Sequence, residues 1–419
     1  MFSKYFCLVG IFKIRMSKVK RREAKRKSTQ KNKGGKKIRP SLLVISIIGL
    51  TILVFLIYSV LSLFNINTKD PLAENLSSHR FLSNLDTNLE KTMFIFEQGE
   101  GEESTISSVY VLLTNKEKGN SIVIYIPGFV YFNGLEEDFG SPIPISSLKY
   151  AGNFLQEGMG VDYSLWQINQ ILGFRVNDYI WFTAQASRTL EEVYGGSDHV
   201  KEKYKEAYLN SGITLSDSYL KLHATSAQYS FIKTVLGINS VKDMDQKVFS
   251  NLSFTSVLNR VGSFEDTVEE TNALVLDLSS PDYSSEELSD LGGQIRSINL
   301  LEYDKSLRRN YINIIDREVE SERVRVEVYN GTGMSGKAGS YARKILNNGC
   351  DVVRFGNTPE PLERTQVYIS DSSEFNDSLK VVSEILFDRY EILEERPSFM
   401  TTGDIVVLLG ADILQMEMF

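Results

Sequence analysis

The chain has 419 residues, of which 42% are hydrophobic and 24% are charged, and its formal net charge is −8. This length predicts two or three domains with enough apolar residues for packed cores, and 9 prolines and 29 glycines are too few for a collagen-like or disordered chain. Two cysteines exclude a disulfide framework and cysteine-ligated zinc sites, and three widely separated histidines (His79, His199 and His223) disfavour a histidine metal site and leave a Ser-His-Asp triad unsupported.

The charge is divided unevenly along the chain. Residues 1–41 hold 15 Lys and Arg and one acid, a local net of +14, and the remainder holds 31 Lys and Arg and 53 acids, a net of −22. Between the two lies an uncharged apolar run, LLVISIIGLTILVFLIYSVLSLF, over residues 42–64. Because about 20 helical residues cross a bilayer core of about 30 Å, this run predicts a single transmembrane helix.

The basic flank predicts the topology. By the positive-inside rule residues 1–41 are a cytoplasmic tail, and residues 65–419 lie outside the cytoplasmic membrane. A cleaved signal peptide is the alternative, but its apolar region would be shorter and no small-x-small cleavage site follows here. No aromatic residue interrupts the charges between Lys18 and Arg39, so we expect no nucleic-acid partner. Met16 is a second candidate start beside Met1.

The exported part begins with a polar segment, residues 65–88, which predicts a stalk. Apolar runs typical of buried strands follow at Met93–Phe96, Val109–Thr114, Ile122–Ile126, Tyr179–Ala184 and Leu274–Leu278. Continuous apolar runs indicate strands covered on both faces, and hence an α/β domain, which we place at residues 89–315.

Helical spacing separates these strands. The apolar stripes are Leu148, Ala151, Phe154 and Leu155, and then Leu165, Ile168, Ile171 and Leu172. Asp162 is the predicted N-cap of the second helix. Residues 200–262 predict mostly amphipathic helix with a break at Gly237.

A charged joint at residues 316–323 precedes a smaller domain at residues 324–413. Its segments predict the order βαββαβ, with strands VRVEVYN, DVVRFGN, TQVYISD and DIVVLLG. The first helix ends at Asn347-Asn348-Gly349, a C-cap signal, and this order predicts a split βαβ sandwich with two helices on one face of the sheet. The predicted fold class is therefore α/β: one transmembrane helix, an extracytoplasmic sheet covered by helices, and a βαββαβ domain.

One glycine pattern is a candidate ligand or interaction loop. Asn330, Gly331, Thr332, Gly333 and Gly336 carry a GxGxxG motif between a strand and a helix, as in dinucleotide sites. The next strand lacks the acid that would hold a ribose, and the domain is too short for a doubly wound sheet. A tight turn with generic anion affinity is the preferred interpretation.

Other candidate chemistry is sparse. Acids cluster at Glu97–Glu103 and at Glu136–Asp138, where paired carboxylates could hold magnesium, although solvated loops are the more common reading in so acidic a chain. Cys350 predicts a small buried apolar residue rather than a nucleophile.

Motifs at both ends of the C-terminal domain point to a known family. Val326, Val328 and Asn330–Gly333 fit V-x-V-x-N-G-[ST]-G, and Leu409–Asp412 fits an L-G-x-D ending. Leu172–Tyr179 fits L-G-[IF]-x-[IV]-[DN]-x-Y. With these motifs, residues 324–413 resemble the LytR C-terminal domain, and residues 107–132 and 145–186 resemble the LytR-CpsA-Psr domain of bacterial cell-envelope proteins.

The resemblance implies an anchored protein that transfers glycopolymers from polyprenyl-pyrophosphate carriers to peptidoglycan, with arginines on the pyrophosphate and acids on magnesium. This chain departs from that pattern. The family's I-P-R-D is replaced by Ile126-Pro127-Gly128-Phe129, and its earlier aspartate falls near Ser107-Ser108. The later arginine-rich motif has only Arg296, Arg308 and Arg309 nearby.

We therefore expect the fold to be kept and the transferase chemistry to be lost, with no catalytic residue, metal ligand or resident cofactor, because glycine and phenylalanine cannot replace a bidentate guanidinium. The expected partners are the membrane and a cell-wall glycopolymer, polyprenyl lipid or envelope protein. An active magnesium-dependent transferase is the alternative, and it requires Arg175, Arg260, Arg296 or Arg308 to converge. A transcriptional regulator or attenuator that uses the basic tail is the third hypothesis.

Overall fold

The computed structural model describes residues 40–64, 70–71, 81–85, 89–99, 104–115, 117, 120–132, 142–186, 248–257, 259–260, 273–288, 292–311, 317–399 and 401–417. The basic tail before residue 40, the three histidines, residues 200–247 with the predicted break at Gly237, and the acids Glu136–Asp138 lie outside these ranges.

Helix α1, Pro40–Phe64, is 25 residues long and contains the predicted span 42–64. Its side chains are described from Val44 to Tyr58, and the large apolar ones are exposed. When helix length and hydropathy are judged on the described residues, no helix qualifies to cross a membrane. The transmembrane anchor stays a prediction from the sequence.

The large sheet has six strands in the order β5-β4-β1-β2-β3-β6. In chain order these are β1 Leu89–Gln98, β2 Thr105–Asn115, β3 Ser121–Pro127, β4 Asp178–Phe182, β5 Val248–Ser250 and β6 Ala273–Asp277. Four of them (β1, β3, β4 and β6) run in one direction, and β2 and β5 run against them. Residues of β1, β2 and β3 are buried on both faces, which confirms the inference from their continuous apolar runs.

Two helices pack against one face of this sheet, α2 Leu148–Leu155 and α3 Gly160–Leu172. The second predicted stripe is confirmed, because its four residues lie in the core. The first is half wrong: Phe154 and Leu155 are exposed. The N-cap prediction is wrong as well, since α3 starts at Gly160 and Asp162 is buried in its first turn. Asn153 of α2 accepts the Gly160 N–H at 2.8 Å, so a neighbouring helix supplies the cap.

The opposite face of the sheet is aromatic. Phe96 stacks on Phe182 with ring centres 4.8 Å apart, and Tyr110 stacks on Tyr125 at 4.9 Å. Phe96 also meets Tyr110 edge to face at 6.0 Å. These contacts join β4, β1, β2 and β3 across the sheet, as cross-strand pairs do.

The predicted helical content of residues 200–262 is wrong at β5, Val248–Ser250. This strand pairs with β4, and the Ser250 hydroxyl donates to the Tyr179 carbonyl at 2.6 Å. Pairing at the sheet edge therefore overrides the local helical pattern. Beyond β6, a hairpin of β7 Ser284–Leu288 and β8 Gln294–Ile298 leads into α4, Leu300–Tyr311.

The predicted joint, residues 316–323, contains a short helix, α5 Arg317–Glu322. The Glu322 carboxylate accepts the backbone N–H groups of Asp377 and Ser378, each at 2.8 Å. These groups open a helix of the C-terminal domain, so the joint caps that helix and forms part of the domain.

The C-terminal domain is a five-stranded sheet in the order β10-β9-β13-β11-β12. Its elements are β9 Arg325–Asn330, α6 Lys337–Asn347, β10 Asp351–Asn357, β11 Gln366–Ile369, α7 Asn376–Ile385, β12 Glu391–Leu393, β13 Ile405–Leu409 and α8 Asp412–Met416. The predicted six elements are all present, with β12 and α8 in addition. The apolar stripes of α6 and α7 are buried on the sheet, and Gly349 follows α6 at φ 99°.

The strand pairing differs from a split βαβ sandwich. β9 and β10 lie side by side and parallel, as do β11 and β12, and β13 is inserted between the two pairs. Each βαβ unit is therefore intact, because each helix returns the chain to the neighbouring strand.

The predicted stalk is partly folded into the domains. We use the name strap for its described residues 70–71 and 81–85. Phe81 is fully buried, and its carbonyl accepts from the Asn169 amide at 2.8 Å. Asp70 accepts the Tyr179 hydroxyl at 2.7 Å, and Ser83 donates to Glu384 at 3.1 Å. The strap thus touches both domains.

The two domains meet at the C-terminal end of α3, a region called here the domain junction. Arg343 of α6 donates to the carbonyls of Gln170 and Ile171, each at 2.5 Å. The same guanidinium forms a two-bond pair with Asp304 of α4 at 2.7 and 2.9 Å. The last carbonyls of a helix have no partner within it, and a cation there also meets the negative end of the helix dipole.

Neighbouring side chains extend the domain junction. Asn347 donates to the Leu172 carbonyl at 3.1 Å and to Asp304 at 2.9 Å. Gly173 ends α3 at φ 75°, and a Cβ there would collide with the Asn347 amide, so glycine is required on both counts.

We predict that Arg343→Ala separates the unfolding of the two domains. The change leaves Asp304, a largely buried carboxylate, without its guanidinium partner, at a cost of about 3 kcal/mol. Urea unfolding of the full chain should show a lower midpoint and two transitions. Arg364→Ala, which removes an exposed pair with Glu391, is the matched control and should leave the midpoint nearly unchanged. A single unshifted transition in Arg343→Ala would contradict this account.

Lys91 makes the stability of the fold depend on pH. Burial lowers the pKa of Lys91 from 10.5 to about 8, against a smaller opposing effect of Glu384. Between these two pH values the unfolded chain keeps a proton that the folded chain has released, so the free energy of unfolding rises with pH across this window.

We predict that Lys91→Met is more stable than the unchanged protein at pH 7 by about 1–2 kcal/mol, because it removes a buried charge. The advantage should shrink as the pH approaches 10. Thermal unfolding from pH 7 to 9.5 measures it, with the exposed Lys305→Met as control. An advantage that is constant with pH would rule out this role for Lys91.

Candidate functional site at the carboxyl edge of the large sheet

The carboxyl ends of β4, β1, β3 and β6 lie along one edge of the large sheet, called here the carboxyl edge. It carries Glu97, Ser107–Ser108, Gly128–Phe129 and Asp277–Ser280. Open α/β sheets bind ligands beyond the carboxyl ends of parallel strands. It is also where the family resemblance puts the pyrophosphate site.

Glu97 forms a buried ion pair at this edge. Lys149 of α2 donates to its Oε1 at 2.7 Å, and the Trp181 indole N–H donates to the same oxygen at 2.7 Å. Lys149 also donates to the Ser104 hydroxyl at 2.8 Å. Glu97 is only 4% exposed, and a buried carboxylate needs such partners. The carboxylate is neutralised within the protein.

The family resemblance implies a magnesium site at this edge. Within the described ranges, no group of three or more acids, histidines or cysteines is placed to hold a metal ion. Glu97, the described first member of the predicted acidic cluster, already binds Lys149. The described donor set does not fit magnesium, and no chemical step is assigned to it.

Gly128 stands where the family pattern has its arginine, and its surroundings explain the glycine. Its N–H donates to the Ser107 carbonyl at 2.9 Å, and its carbonyl accepts from Ser146 at 2.7 Å. A Cβ on Gly128 would collide with the Ile106 carbonyl oxygen and lie 3.0 Å from that of Ser107. The backbone of β2 therefore fills the space that any side chain would need.

The two serines at the aspartate position also differ in role. Ser107 lies in a β-bulge opposite Phe96 and donates to the Phe96 carbonyl at 3.0 Å. The Ser108 hydroxyl is buried and has no hydrogen-bond partner in the described part of the chain. Neither serine supplies a negative charge, so the position of the family's aspartate holds no anionic group.

We predict that restoring the family's arginine by Gly128→Arg destabilises the protein by roughly 3 kcal/mol or more, because β2 must move to admit a side chain. Phe129→Arg is the matched control: Phe129 is 59% exposed, and its replacement should change stability by about 0.5 kcal/mol or less. Thermal unfolding of both variants measures the difference. Equal stability would show that β2 yields easily.

The four arginines named for the transferase alternative do not come together. Arg175 binds Glu384, and Arg260 binds Glu90 and Asp178, both at the opposite, amino end of β4. Arg296 donates to the Ser279 carbonyl at 2.7 Å, beside the end of β6. Arg308 donates to the Asp304 carbonyl within α4. The strands separate the first two arginines from Arg296, so no shared pyrophosphate site forms among them.

The candidate loop between β9 and α6 is held by its own side chains. Asn330 accepts from the Thr332 N–H at 3.1 Å and hydroxyl at 2.7 Å, and it donates to the Met334 carbonyl at 2.7 Å. Gly333 and Gly336 adopt φ 81° and 82°, which explains the need for glycine. The loop is a tight turn with a structural reason for each of these residues.

Gly331 in the same loop is covered. A Cβ there would lie 2.8 Å from the Leu409 carbonyl oxygen and 2.9 Å from the Thr358 hydroxyl. The segment after β10 thus occupies the space where a pyrophosphate would approach. A role of this loop in binding a partner stays a prediction.

Cys350 is 3% exposed and packs in the core of the C-terminal domain. Burial raises the pKa of its thiol to about 12, so the thiol is protonated and inert at neutral pH. It is an apolar core residue, as expected.

Sequence reasoning missed Lys149 and Arg343. Each lies on an amphipathic helix beside predicted core residues, and a cation on such a helix is ordinarily predicted to face solvent. Their partners Glu97 and Asp304 are 52 and 39 residues away, so no local pattern could link them.

Residues 323–412 match the family described as "LytR cell envelope-related transcriptional attenuator". No curated protein matches the chain in sequence. Among solved structures, the chain is similar to TagV of B. subtilis, with 13% identity, 54% of this chain and 98% of that one covered and a TM-score of 0.38.

Two further structures are similar at the same level. The Lin1025 protein from Listeria innocua has 11% identity, 54% and 99% of the two chains covered and a TM-score of 0.34. TagT bound to LIIa-WTA has 10% identity, 58% and 98% covered and a TM-score of 0.34. The family match at residues 323–412 agrees with the resemblance to the LytR C-terminal domain that the motifs of residues 324–413 indicate.

Proposed function

We propose that this chain is a membrane-anchored cell-envelope protein of the LytR-CpsA-Psr type. In this proposal it binds a glycopolymer, polyprenyl lipid or protein of the envelope without transferase catalysis. The LytR C-terminal domain supports the envelope assignment. The uncharged run 42–64 and its basic flank support a single-pass anchor with residues 65–419 outside the cytoplasmic membrane.

One observation carries the non-catalytic part of the proposal, namely the packing around Gly128. A pyrophosphate in a largely desolvated site needs cationic partners, and bidentate arginine supplies them best. At the carboxyl edge the arginine position holds a glycine that β2 covers, and Lys149 is already bound by Glu97. Losing one such electrostatic partner costs about 3–4 kcal/mol of transition-state stabilisation in enzymes that depend on it.

The rigid junction between the domains also suits a binding role. Arg343 and Asn347 of the C-terminal domain make three hydrogen bonds to carbonyls of α3 and three to Asp304 of α4. A fixed pair of domains presents one continuous surface, which lowers the entropy lost on binding an extended partner.

We predict no magnesium-dependent cleavage of a polyprenyl-pyrophosphate-linked glycopolymer by the purified full chain in detergent. A catalytically active family transferase under the same conditions is the positive control. Retention of labelled glycopolymer or polyprenyl phosphate by the immobilised chain tests binding separately. Robust turnover would overturn the non-catalytic proposal and favour the transferase alternative.

A further inference from the structure

The end of α7 departs from the usual residue preference of a helix terminus. The Asp388 N–H donates to the Ser383 carbonyl at 2.9 Å, and the Phe387 N–H donates to the Glu384 carbonyl at 2.9 Å. These two bonds form a Schellman motif, in which the left-handed residue after the helix is usually glycine. In α7 that residue is Phe387, with φ 56°. A left-handed backbone is unfavourable for a residue with a Cβ, and a bulky residue in it is an outlier.

Two other helices of the protein carry glycine at the corresponding place. Gly173 follows α3 at φ 75°, and Gly349 follows α6 at φ 99°. Asp388, the next residue of the α7 turn, is also left-handed at φ 55°, but its carboxylate accepts the Ser383 hydroxyl at 2.7 Å. Such a local bond makes the left-handed region tolerable for aspartate, and phenylalanine has no equivalent. The strain at Phe387 therefore needs an offset from outside the turn.

The side chain of Phe387 makes its contacts in the large domain. Its ring stacks on Trp166 of α3, with ring centres 6.4 Å apart and planes inclined by 22°. The Arg175 guanidinium lies 4.8 Å from the centre of the same ring. The half-buried ring packs against the cores of both domains. Stacking and cation–π contacts add to the burial of apolar surface, so the side chain that strains the turn also joins the two domains.

Arg175 binds the same helix end in a second way. Its guanidinium donates to the Glu384 backbone carbonyl and lies 3.7 Å from the Glu384 carboxylate. A cation there meets the carbonyl end of α7, as Arg343 of the C-terminal domain meets the carbonyl end of α3. Each domain therefore supplies an arginine to a helix end of the other.

We propose that Phe387 is a conformational latch of the C-terminal domain. In the docked state its contacts with Trp166 and Arg175 offset the cost of the left-handed backbone. When the two domains separate, these contacts are lost and the turn relaxes, because nothing then offsets its strain. Docking of the domain and the conformation of the α7 terminus are thus one two-state change. The latch goes beyond the proposed function and does not depend on which envelope partner the chain binds.

The test compares two substitutions at this position. Phe387→Gly removes the ring together with the strain, whereas Phe387→Ala removes the ring and keeps the strain. Thermal unfolding of the full chain in detergent should split into two transitions for both variants. Circular dichroism follows both transitions, and tryptophan fluorescence follows the large domain, which holds Trp166 and Trp181. The transition of the C-terminal domain should lie a few degrees higher for the glycine variant than for the alanine variant.

Trp166 reports docking without unfolding. It is 7% exposed in the docked state, and Trp181 is fully buried in the large sheet. Quenching of tryptophan fluorescence by acrylamide at room temperature should therefore increase in both Phe387 variants through Trp166. Asp388→Asn is the matched control, because it changes the next residue of the same turn and keeps the ring. It should show one transition and unchanged quenching.

Two results would overturn the latch. One is a single transition with unchanged quenching in Phe387→Gly, because the ring then contributes nothing to docking. The other is an equal midpoint of the C-terminal domain in the glycine and alanine variants, because the turn then carries no strain. If Phe387→Ala does not fold, folding of Phe387→Gly under the same conditions gives the expected order. Turnover in the transferase assay would contradict the non-catalytic proposal and leave the latch intact.

Discussion

The structure depends on a helix end that finds its partner in another domain. The last carbonyls of α3 receive their hydrogen bonds from Arg343 and Asn347 of the C-terminal domain. Asp304, from the segment between the two sheets, neutralises the guanidinium that makes these bonds. Because a buried helix terminus without partners is costly, the large domain is complete only when the small one is docked.

The two ends of the large sheet differ in how their charged side chains are partnered. At the carboxyl edge, Glu97 forms an ion pair with Lys149. The backbone of β2 occupies the space that a side chain at the arginine position, Gly128, would need. At the other end, the ammonium groups of Lys91 and Lys344 lie over the rings of Phe174 and Tyr341.

The parts that the sequence predicts well are those with local causes. Continuous apolar runs identify β1, β2 and β3, because a strand that is buried on both faces needs apolar residues at successive positions. The turn at Asn348-Gly349 identifies the end of α6, because the left-handed conformation there favours glycine. The family motifs at Asn330–Gly333 and Leu409–Asp412 likewise lie within one domain, and the match at 323–412 confirms them.

The parts that the sequence predicts poorly have distant causes. The sequence predicts Asp162 as an N-cap, but in the structure Asn153 of the preceding helix accepts the N–H at the start of α3. The sequence predicts helix at Val248–Ser250, but in the structure these residues pair with β4 as a strand. The sequence makes Arg175 a candidate ligand of pyrophosphate, but in the structure it binds Glu384, 209 residues away. In each case a tertiary partner overrides a local preference, and no spacing rule connects the two.

The strap has a consequence for how the chain matures. Ser83 reaches its hydrogen-bond partner Glu384 across 301 residues, and Phe81 fills a core that α3 completes. During synthesis Phe81 stays uncovered until α3 has been made, and Ser83 can bind Glu384 only after a further 301 residues have been added. A chaperone that binds exposed apolar side chains would therefore act on the strap, before α3 is available to cover Phe81.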